Sequence, residues 1–411
     1  MKYAIIVGDG MADYPMESLG GKTPLRAART PNMDWMARHG EMGLVKTIPG
    51  GFTPGSEIAN LSILGYDPVR YYTGRGPLEA ASLAVELQPE DIAFRCNLVT
   101  LQGTGGSTVM EDFSAGHITD GEAEEIIGEL NEKLATAEIL FYAGVSYRHL
   151  MVWKNGAGRF PGMETIELTP PHDIVGREIL PFLPTRGDGT GATDQILSLM
   201  GGSQGLLKNH RVNLGREARG LAPANAIWLW GQGRSPKMAT LKERFGIEGS
   251  VISAVHLLKG IGILAGLRSL DVPGATGYFD TNYEGKAECA LKSLQEQDFV
   301  FVHVEAPDEA GHMGDPRLKI EAIEVFDEKI VGTILKGMAA FKRFKVLVLP
   351  DHPTPVSLRT HTADPVPYVI YSNNGAEQSF GGEGFDEAAG AKSGIYVERG
   401  FELIERFLMS S

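Results

Sequence analysis

The stretch "EAPDEAGH" carries a carboxylate and an imidazole at a spacing that suits metal binding. Pro307 is typical of the first turn of a helix, and Asp308 and His312, four residues apart, then share one helical face. A single pair of this kind is more often a surface ion pair that contributes little to stability. A second such pair, Asp351 and His352, follows the apolar run "FKVLVLP". The two pairs together favour a metal site.

Two further side chains extend this set. Asp9, in "VGDGMAD", follows an apolar run and lies between glycines that let the backbone turn sharply. His361, in "RTHTADPVP", precedes another apolar run. Because ligands of a doubly wound sheet bind beyond the carboxyl ends of its strands, we expect all six residues at one sheet edge. Three aspartates and three histidines suffice for two divalent cations of borderline hardness, such as manganese or zinc.

Ser56 is the candidate nucleophile. In "GFTPGSEIAN" it follows a Pro-Gly pair and precedes a helical pattern, so we predict that it is the N-cap of that helix. A capping serine alone is commonly structural, but a helix N-terminus can also hold phosphate oxygens. A cation on the hydroxyl would lower its pKa and make the oxygen a nucleophile, while a second cation would stabilise the leaving oxygen. The combination predicts phosphoryl transfer through a phosphoserine.

Five short apolar runs would position these residues as buried strands of a mostly parallel sheet. They are residues 3–10, 226–233, 299–308, 344–352 and 367–373. Helical patterns lie between them, for example at 256–270 and 317–338. This alternation is typical of a doubly wound α/β domain.

Residues 90–220 have a different pattern, which predicts an inserted α+β domain. The stretches expected as strands, with more alternation, are 92–101, 107–113, 138–154 and 164–170, and the charged stretch expected as a helix is 120–134. The phosphatase-like catalytic domain would then be discontinuous, with residues 1–89 and 221–411. The loop "GDGTGATD" lacks the Lys-Ser or Lys-Thr of a phosphate loop and is expected to be a turn.

The composition narrows the classes of partner. The chain has 411 residues and a net charge of -14, which argues against nucleic acid or an anionic membrane and requires a local positive site for an anionic substrate. The two cysteines, Cys96 and Cys289, suit no disulfide framework and are expected in the reducing cytoplasm. No apolar run suits a signal peptide or a membrane span. Homo-oligomerisation is left open.

The ordered segments "VGDGMAD", "PGSEIANLSILGYDP", "APDEAGH", "PDH" and "HTADPVP" resemble the cofactor-independent phosphoglycerate mutases of the archaeal type, members of the alkaline phosphatase superfamily. Segments such as "YTGRGPLEAA" and "GATGYFDTNY" extend the resemblance over nearly the whole chain. It implies an alkaline-phosphatase-like fold and interconversion of 2- and 3-phosphoglycerate in glycolysis and gluconeogenesis. The reaction would proceed through a phosphoserine and would not require 2,3-bisphosphoglycerate. It would use two divalent metal ions, for which manganese is the first expectation and magnesium, zinc or cobalt are alternatives.

The resemblance also implies roles for individual metal ligands. One metal ion would be held by Asp308, His312 and His361, and the other by Asp9, Ser56, Asp351 and His352. This is the same set that the residue types and their placement indicate.

Further positions are expected to bind the small anionic phosphorylated substrate. Lys259, in "SAVHLLKGIGI", is similar to the family's lysine that reaches the transferring phosphoryl group, although a lysine on a helix surface would look the same. Arg95, Arg148 and His149 suit a clamp for carboxylate or phosphate on strands of the insert. Arg75 would contact phosphate or brace the crossing into the insert.

Three other functions stay open at this point. "GDGMADYP", "GSEIAN" and "IWLWGQG" are closer to a sister branch of proposed homoserine kinases, which act in threonine biosynthesis. A metal-dependent phosphatase would use the same metals and serine. A binding protein without activity is disfavoured because all seven metal positions hold residues that can act as ligands.

Overall fold

The computed structural model describes residues 1–104, 106–185, 191–374 and 384–409. The chain forms two compact units, the first from Met1–Tyr72 with Lys237–Ser411 and the second from Thr73–Pro236. Residues 186–190 of the glycine-rich loop lie outside the described part. Among the described residues, no helix combines the length and apolar content that crossing a membrane requires.

The structure has thirteen strands within its described residues. They are β1 (Lys2–Gly8), β2 (Glu41–Val45), β3 (Ile92–Thr104), β4 (Ser107–Asp112), β5 (Ile139–Val145), β6 (Arg148–Trp153), β7 (Ala226–Gly233), β8 (Gly249–Ile252), β9 (Arg268–Ser269), β10 (Phe299–Val304), β11 (Phe344–Leu349), β12 (Val366–Ser372) and β13 (Tyr396–Val397).

Helices connect most of these strands. They are α1 (Pro24–Ala27), α2 (Pro31–His39), α3 (Ser56–Ile63), α4 (Pro68–Tyr71), α5 (Arg75–Ser82), α6 (Asp120–Lys133), α7 (Gly156–Arg159), α8 (Ala192–Leu207), α9 (Arg211–Ala218), α10 (Leu241–Phe245), α11 (His256–Leu264), α12 (Tyr283–Glu296), α13 (Ala306–Met313), α14 (Pro316–Val325), α15 (Gly332–Met338), α16 (Glu387–Lys392) and α17 (Leu403–Met409), with a π-helical turn at Phe326–Val331 between α14 and α15.

The first unit is built on an eight-stranded sheet in the order β13-β2-β12-β11-β1-β10-β8-β9. The five strands from β11 to β9 are parallel, and β12 pairs antiparallel with both of its neighbours. Successive residues of β1 point to opposite faces, and all residues from Ala4 to Gly8 are buried, so both faces are covered. The doubly wound, mostly parallel α/β fold is therefore confirmed.

The second unit contains an antiparallel sheet in the order β4-β3-β6-β5, with β7 also paired to β3. β7 was expected in the large parallel sheet, and that assignment is wrong: Leu98 lies opposite Ile227 and Val99 opposite Ala226 in the β3–β7 pair. A continuous apolar run indicates burial on both faces without identifying the neighbouring strand. Because β7 and α5 pack on β3, the second unit begins and ends outside the expected 90–220.

The stretch 164–170 was also expected as a strand and forms none. The structure has a 3-10 turn at Met163–Thr165 there, followed by an irregular segment. Ile166 and Leu168 pack against the core of the second unit, and the Ile166 carbonyl accepts a hydrogen bond from the Gln232 amide, at 2.5 Å. Its alternating apolar residues therefore fill the core from a segment that joins no sheet.

Two glycines allow the segments after β1, β10 and β11 to approach one another. Gly10 has a φ of +58°, and a Cβ at this position would lie 2.4 Å from Asp308 Oδ1 and 2.5 Å from Thr354 Oγ1. A Cβ on Gly311 in α13 would lie 2.4 Å from the Thr354 carbonyl. Real Cβ atoms do not come this close to backbone or packed side chains, so only glycine fits at either position.

Gly10→Ala should destabilise the protein and weaken Mn²⁺ binding. Left-handed backbone strain and steric overlap with Asp308 together should lower the free energy of unfolding by about 2–4 kcal/mol. Gly20→Ala is the matched control, because Gly20 has a φ of +66° and no neighbouring atom within 4 Å of a new Cβ. Urea unfolding and Mn²⁺ titration of both variants would measure the difference. Equal effects of the two substitutions would contradict the packing argument.

Candidate active site

Asp308, His312 and His361 converge beyond the end of β10. Nε2 of His312 lies 2.9 Å from Nε2 of His361, and Asp308 oxygens lie 3.2 Å from the first and 3.4 Å from the second. Nδ1 of His312 is 3.0 Å from the Arg359 carbonyl, and Nδ1 of His361 is 3.4 Å from the Pro54 carbonyl. Each Nδ1–H thus faces a carbonyl acceptor, which leaves the Nε2 lone pairs directed at one point. Facing lone pairs repel unless a proton or a cation lies between them.

The pKa values of this group agree with that geometry. The hydrogen bond between His312 and Asp308 raises the pKa of His312 to about 9, although burial acts in the opposite direction. Burial would lower the pKa of His361, but Asp308 outweighs it and the pKa is raised. Burial would raise the pKa of Asp308, and the two imidazoles instead hold it well below its usual value. Without a bound cation, protons therefore supply the positive charge that this group requires.

A second group lies around His352, beyond the ends of β1 and β11. Its Nε2 is 3.1 Å from Ser56 Oγ, 3.4 Å from Asp9 Oδ1 and 3.6 Å from Asp351 Oδ2. Asp9 Oδ1 is buried and has no hydrogen-bond partner within the described residues. A buried carboxylate oxygen without a donor is costly, and a bound cation would satisfy it.

Ser56 is the first residue of α3, and Gly55 is the N-cap. The prediction that Ser56 itself caps the helix is therefore wrong by one residue. Its hydroxyl makes no capping bond and points to His352 instead. Asn60, one turn later, donates from its amide to Asp351 Oδ2 at 2.9 Å and to the Ser56 carbonyl at 2.8 Å. The helix thereby holds the serine against the carboxyl end of β11.

The carboxylates of the second group have opposite pKa shifts. Burial, then the negative charges of Asp351 and Asp308, raise the pKa of Asp9 well above its usual value. Burial would raise the pKa of Asp351 as well, but His352 and His303 outweigh it and the pKa is lowered. Burial lowers the pKa of His352, which favours the neutral imidazole that a cation requires.

These donor sets fit two divalent cations. Asp308, His312 and His361 have ligand atoms within 4.8 Å of one another. The same holds for Asp9, Asp308 and His352, and for Asp9, His303 and Asp351. Carboxylate, imidazole and hydroxyl ligands suit manganese, zinc and related metals. The unpartnered Asp9 oxygen and the facing imidazole nitrogens are what such cations would satisfy.

Two buried residues of this region were not foreseen from the sequence. Thr354 donates its hydroxyl proton to Asp308 Oδ1 and lies 3.3 Å from Nδ1 of His352, so it joins the two groups. His303, near the carboxyl end of β10, has Nε2 3.5 Å from Asp9 Oδ2 and 3.6 Å from Asp351 Oδ2. The signal for His303 was a polar residue inside the apolar run "FVFVHV", two residues before Glu305.

Lys259 is engaged by a carboxylate of its own unit. It lies in α11, which packs against α3, and its Nζ donates to Asp271 Oδ1 at 2.5 Å. The salt bridge leaves the ammonium largely buried beside an Asp271 side chain that is 88% exposed. An exposed carboxylate partner is readily exchanged for another anion because water solvates it when it is released.

In the second unit, Arg95 and Arg75 lie over the ring of Trp230. Their guanidinium carbons are 4.4 Å and 5.5 Å from the ring centroid. Arg95 Nε lies 3.1 Å from Glu79 Oε2. Burial lowers the pKa of Arg95, Glu79 opposes this, and the charges of Arg75 and Arg148 lower it further. The three arginines therefore concentrate positive charge on one face of an acidic protein.

His149 does not join this arginine group. It lies opposite Cys96 in the β3–β6 pair, whereas Arg148 lies opposite Asn97 on the face that Arg95 shares. Burial lowers the pKa of His149 to about 4, so the ring is neutral. Its Nδ1 accepts from the Gly144 N–H, and its Nε2 has no partner within the described residues.

Comparisons with known proteins identify relatives of this chain. A family model described as 2,3-bisphosphoglycerate-independent phosphoglycerate mutase matches residues 37–213. A probable 2,3-bisphosphoglycerate-independent phosphoglycerate mutase of Geobacter sulfurreducens is 52% identical over 99% of this chain and 100% of its own, and that of Methanosarcina acetivorans is 52% identical over 98% of each.

Two solved structures share the fold. The PH0037 protein of Pyrococcus horikoshii has a TM-score of 0.82 at 28% identity and covers 99% of this chain and 96% of its own. A cofactor-independent phosphoglycerate mutase of Thermoplasma acidophilum has a TM-score of 0.67 at 28% identity, with 99% of each chain covered.

Mn²⁺ binding should tighten as the pH rises toward 9. The pKa of His312 is raised to about 9, so below that pH its imidazole must release a proton before it can bind a cation. One released proton makes the apparent association constant rise about tenfold per pH unit. Calorimetric titration between about pH 6.5 and 8.5, in buffers of different ionisation enthalpy, would measure affinity and proton release together. Affinity independent of pH would contradict this.

Proposed function

The chain belongs to the 2,3-bisphosphoglycerate-independent phosphoglycerate mutases, and on this premise we propose which of its residues carry out the reaction. It is an isomerase that interconverts 2- and 3-phosphoglycerate, depends on metal and requires no 2,3-bisphosphoglycerate. A homoserine kinase is not favoured, because the relatives near 50% identity are named as mutases over nearly their whole length.

The observation that supports the site assignment is the convergence of Ser56 Oγ on His352, beside the carboxylates of Asp9 and Asp351. We propose that these four residues hold one metal ion and that Asp308, His312 and His361 hold the other. Bound divalent cations would lower the pKa of the Ser56 hydroxyl and neutralise charge on the transferring phosphoryl group. Manganese is our proposal for the ion, on the basis of this mixed oxygen and imidazole set.

Ser56 acts as the nucleophile in this proposal. Its hydroxyl loses its proton and the oxygen forms a bond to phosphorus, while the bond from phosphorus to the glycerate oxygen breaks and that oxygen takes up a proton. After glycerate reorients, its other hydroxyl loses its proton and attacks the phosphoserine. The bond from phosphorus to Ser56 Oγ then breaks, and Ser56 regains a proton. Ser56 lies at the N-terminus of α3, where first-turn N–H groups and the helix dipole would stabilise the negative phosphoryl oxygens.

Other residues would bind the substrate. We propose that Lys259 exchanges Asp271 for a phosphoryl oxygen, since Asp271 is exposed and can be released to water. Arg75, Arg95 and Arg148 would bind the carboxylate of glycerate, because guanidinium groups bind carboxylates in bidentate fashion. The buried Glu79–Arg95 pair would keep this face ordered. The cytoplasm is the proposed location, in line with the two free cysteines.

Ser56→Ala should abolish mutase turnover and leave metal binding at the other group intact. Conversion of 3-phosphoglycerate by the purified full chain with Mn²⁺, and without 2,3-bisphosphoglycerate, can be followed by ³¹P NMR. The substitution should lower kcat by about 10³-fold or more, because the nucleophile is removed. Ser62→Ala, in the same helix, is the control and should retain turnover.

Two results of the same assay would overturn the proposed function. Rapid release of inorganic phosphate from phosphoglycerate would indicate a phosphatase, and phosphohomoserine formed from homoserine and ATP without mutase activity would indicate a kinase. Full activity of Ser56→Ala, or of chelated enzyme, would overturn the assignment of the site.

Arg148→Gln should raise the KM for 3-phosphoglycerate and change kcat little. Loss of a charge-assisted hydrogen bond of about 1.5–3 kcal/mol corresponds to roughly 10- to 100-fold in KM. Arg159→Gln is the control, because Arg159 is equally exposed but pairs with Glu138, away from the arginine group. Steady-state kinetics of both variants would measure the change in KM. Equal KM values for the two variants would show that Arg148 does not bind the substrate.

A further inference from the structure

His303 is a buried imidazole that the reaction scheme does not use. It lies in β10 opposite Val7 of β1, and its side chain is fully buried. Its Nε2 is nearly equidistant from two carboxylates, at 3.5 Å from Asp9 Oδ2 and 3.6 Å from Asp351 Oδ2. No side chain or backbone atom among the described residues gives this nitrogen a hydrogen bond of ordinary geometry. The ring therefore lies between two of the carboxylates proposed to hold a cation.

The opposite side of the ring faces Glu305. Nδ1 of His303 is 3.3 Å from Glu305 Oε1, which also accepts from the Ser253 hydroxyl at 3.0 Å and the Ala254 N–H at 3.1 Å. Glu305 Oε2 accepts from Lys286 Nζ at 2.9 Å. Four groups thus fix this carboxylate, and the carboxylate fixes the rotation of the imidazole.

Lys286 anchors the network from α12. Its ammonium is fully buried, and besides Glu305 it donates to the His303 carbonyl at 3.0 Å. A buried ammonium is retained only when it is paired and hydrogen-bonded. Lys286 therefore holds both the side chain that orients His303 and the backbone of His303 itself.

The two oxygens of Asp9 face different imidazoles. Asp9 presents Oδ1 to His352 and Oδ2 to His303, so His303 contacts the Asp9 oxygen that His352 does not contact. Asp351 presents the same oxygen, Oδ2, to both imidazoles. Groups behind metal-binding carboxylates commonly set their orientation and change metal affinity when they are replaced. The Asn60 amide also donates to Oδ2 of Asp351.

We propose that His303 is a positioning residue, held by Glu305 and Lys286, which sets the orientation of the Asp9 and Asp351 carboxylates for cation binding. The inference rests on the ligand assignment proposed above for those two residues. It assigns no contact with substrate to His303 and concerns one of the two metal groups only.

Mn²⁺ binding to the full chain, followed by the EPR signal of free Mn²⁺, tests this without relying on activity. Asp351→Asn and His312→Ala identify which of the two dissociation constants belongs to each group. His303→Leu should weaken the Asp351-dependent constant by about 10- to 100-fold and leave the His312-dependent constant unchanged. His303→Gln, whose amide N–H can still reach the carboxylates, should recover most of the loss.

Glu305→Gln provides a second variant if His303→Leu does not fold, as judged by circular dichroism. It should weaken the same constant, because the partner of Nδ1 loses its charge. Unchanged constants in a folded variant, or equal weakening of both constants, would overturn the inference. Loss of a bound imidazole nitrogen signal in pulsed EPR of His303→Gln would also overturn it, in favour of a ligand role. If Asp351→Asn alters neither constant, the ligand assignment fails first.

Discussion

Repulsion among buried carboxylates is the constraint on which this site depends. Asp9, Glu305, Asp308 and Asp351 are all nearly inaccessible to water at one edge of the large sheet. Of these, Glu305 forms a salt bridge with Lys286, and Asp308 contacts the imidazoles of His312 and His361. The raised pKa of Asp9 shows that its negative charge remains uncompensated. Divalent cations would balance this charge, so a requirement for metal would follow from the architecture as well as from the chemistry.

The sheet produces this crowding through its parallel centre. β1 pairs with β10 on one side and β11 on the other, in parallel register, so the residues that follow these three strands emerge side by side. Gly10 and Gly311 then remove the side chains that would keep the segments apart. Thr354 and its neighbours fill the narrow space between the two ligand groups. Close approach of backbone is therefore as necessary to the site as the ligands themselves.

In the proposed function, the second unit meets a different requirement, which is to bind an anion on a protein of net charge -14. Arg75 and Arg95 are stacked over Trp230, a contact that keeps guanidinium groups ordered. Glu79 offsets part of the charge and holds Arg95 in place. The repulsion that remains among the arginines favours binding of a carboxylate or phosphate, because such a ligand relieves it.

The sequence by itself determined the metal-binding residue types, the doubly wound fold and the family, because apolar runs, turn residues and helical spacing are local signals. Tertiary structure decided which strands are neighbours, and so placed 226–233 beside β3 in the antiparallel sheet. It also decided that Ser56 follows the cap, that Lys259 pairs with Asp271 and that His303 faces two carboxylates. Contacts between residues remote in the chain depend on packing of whole elements, and no local pattern encodes them.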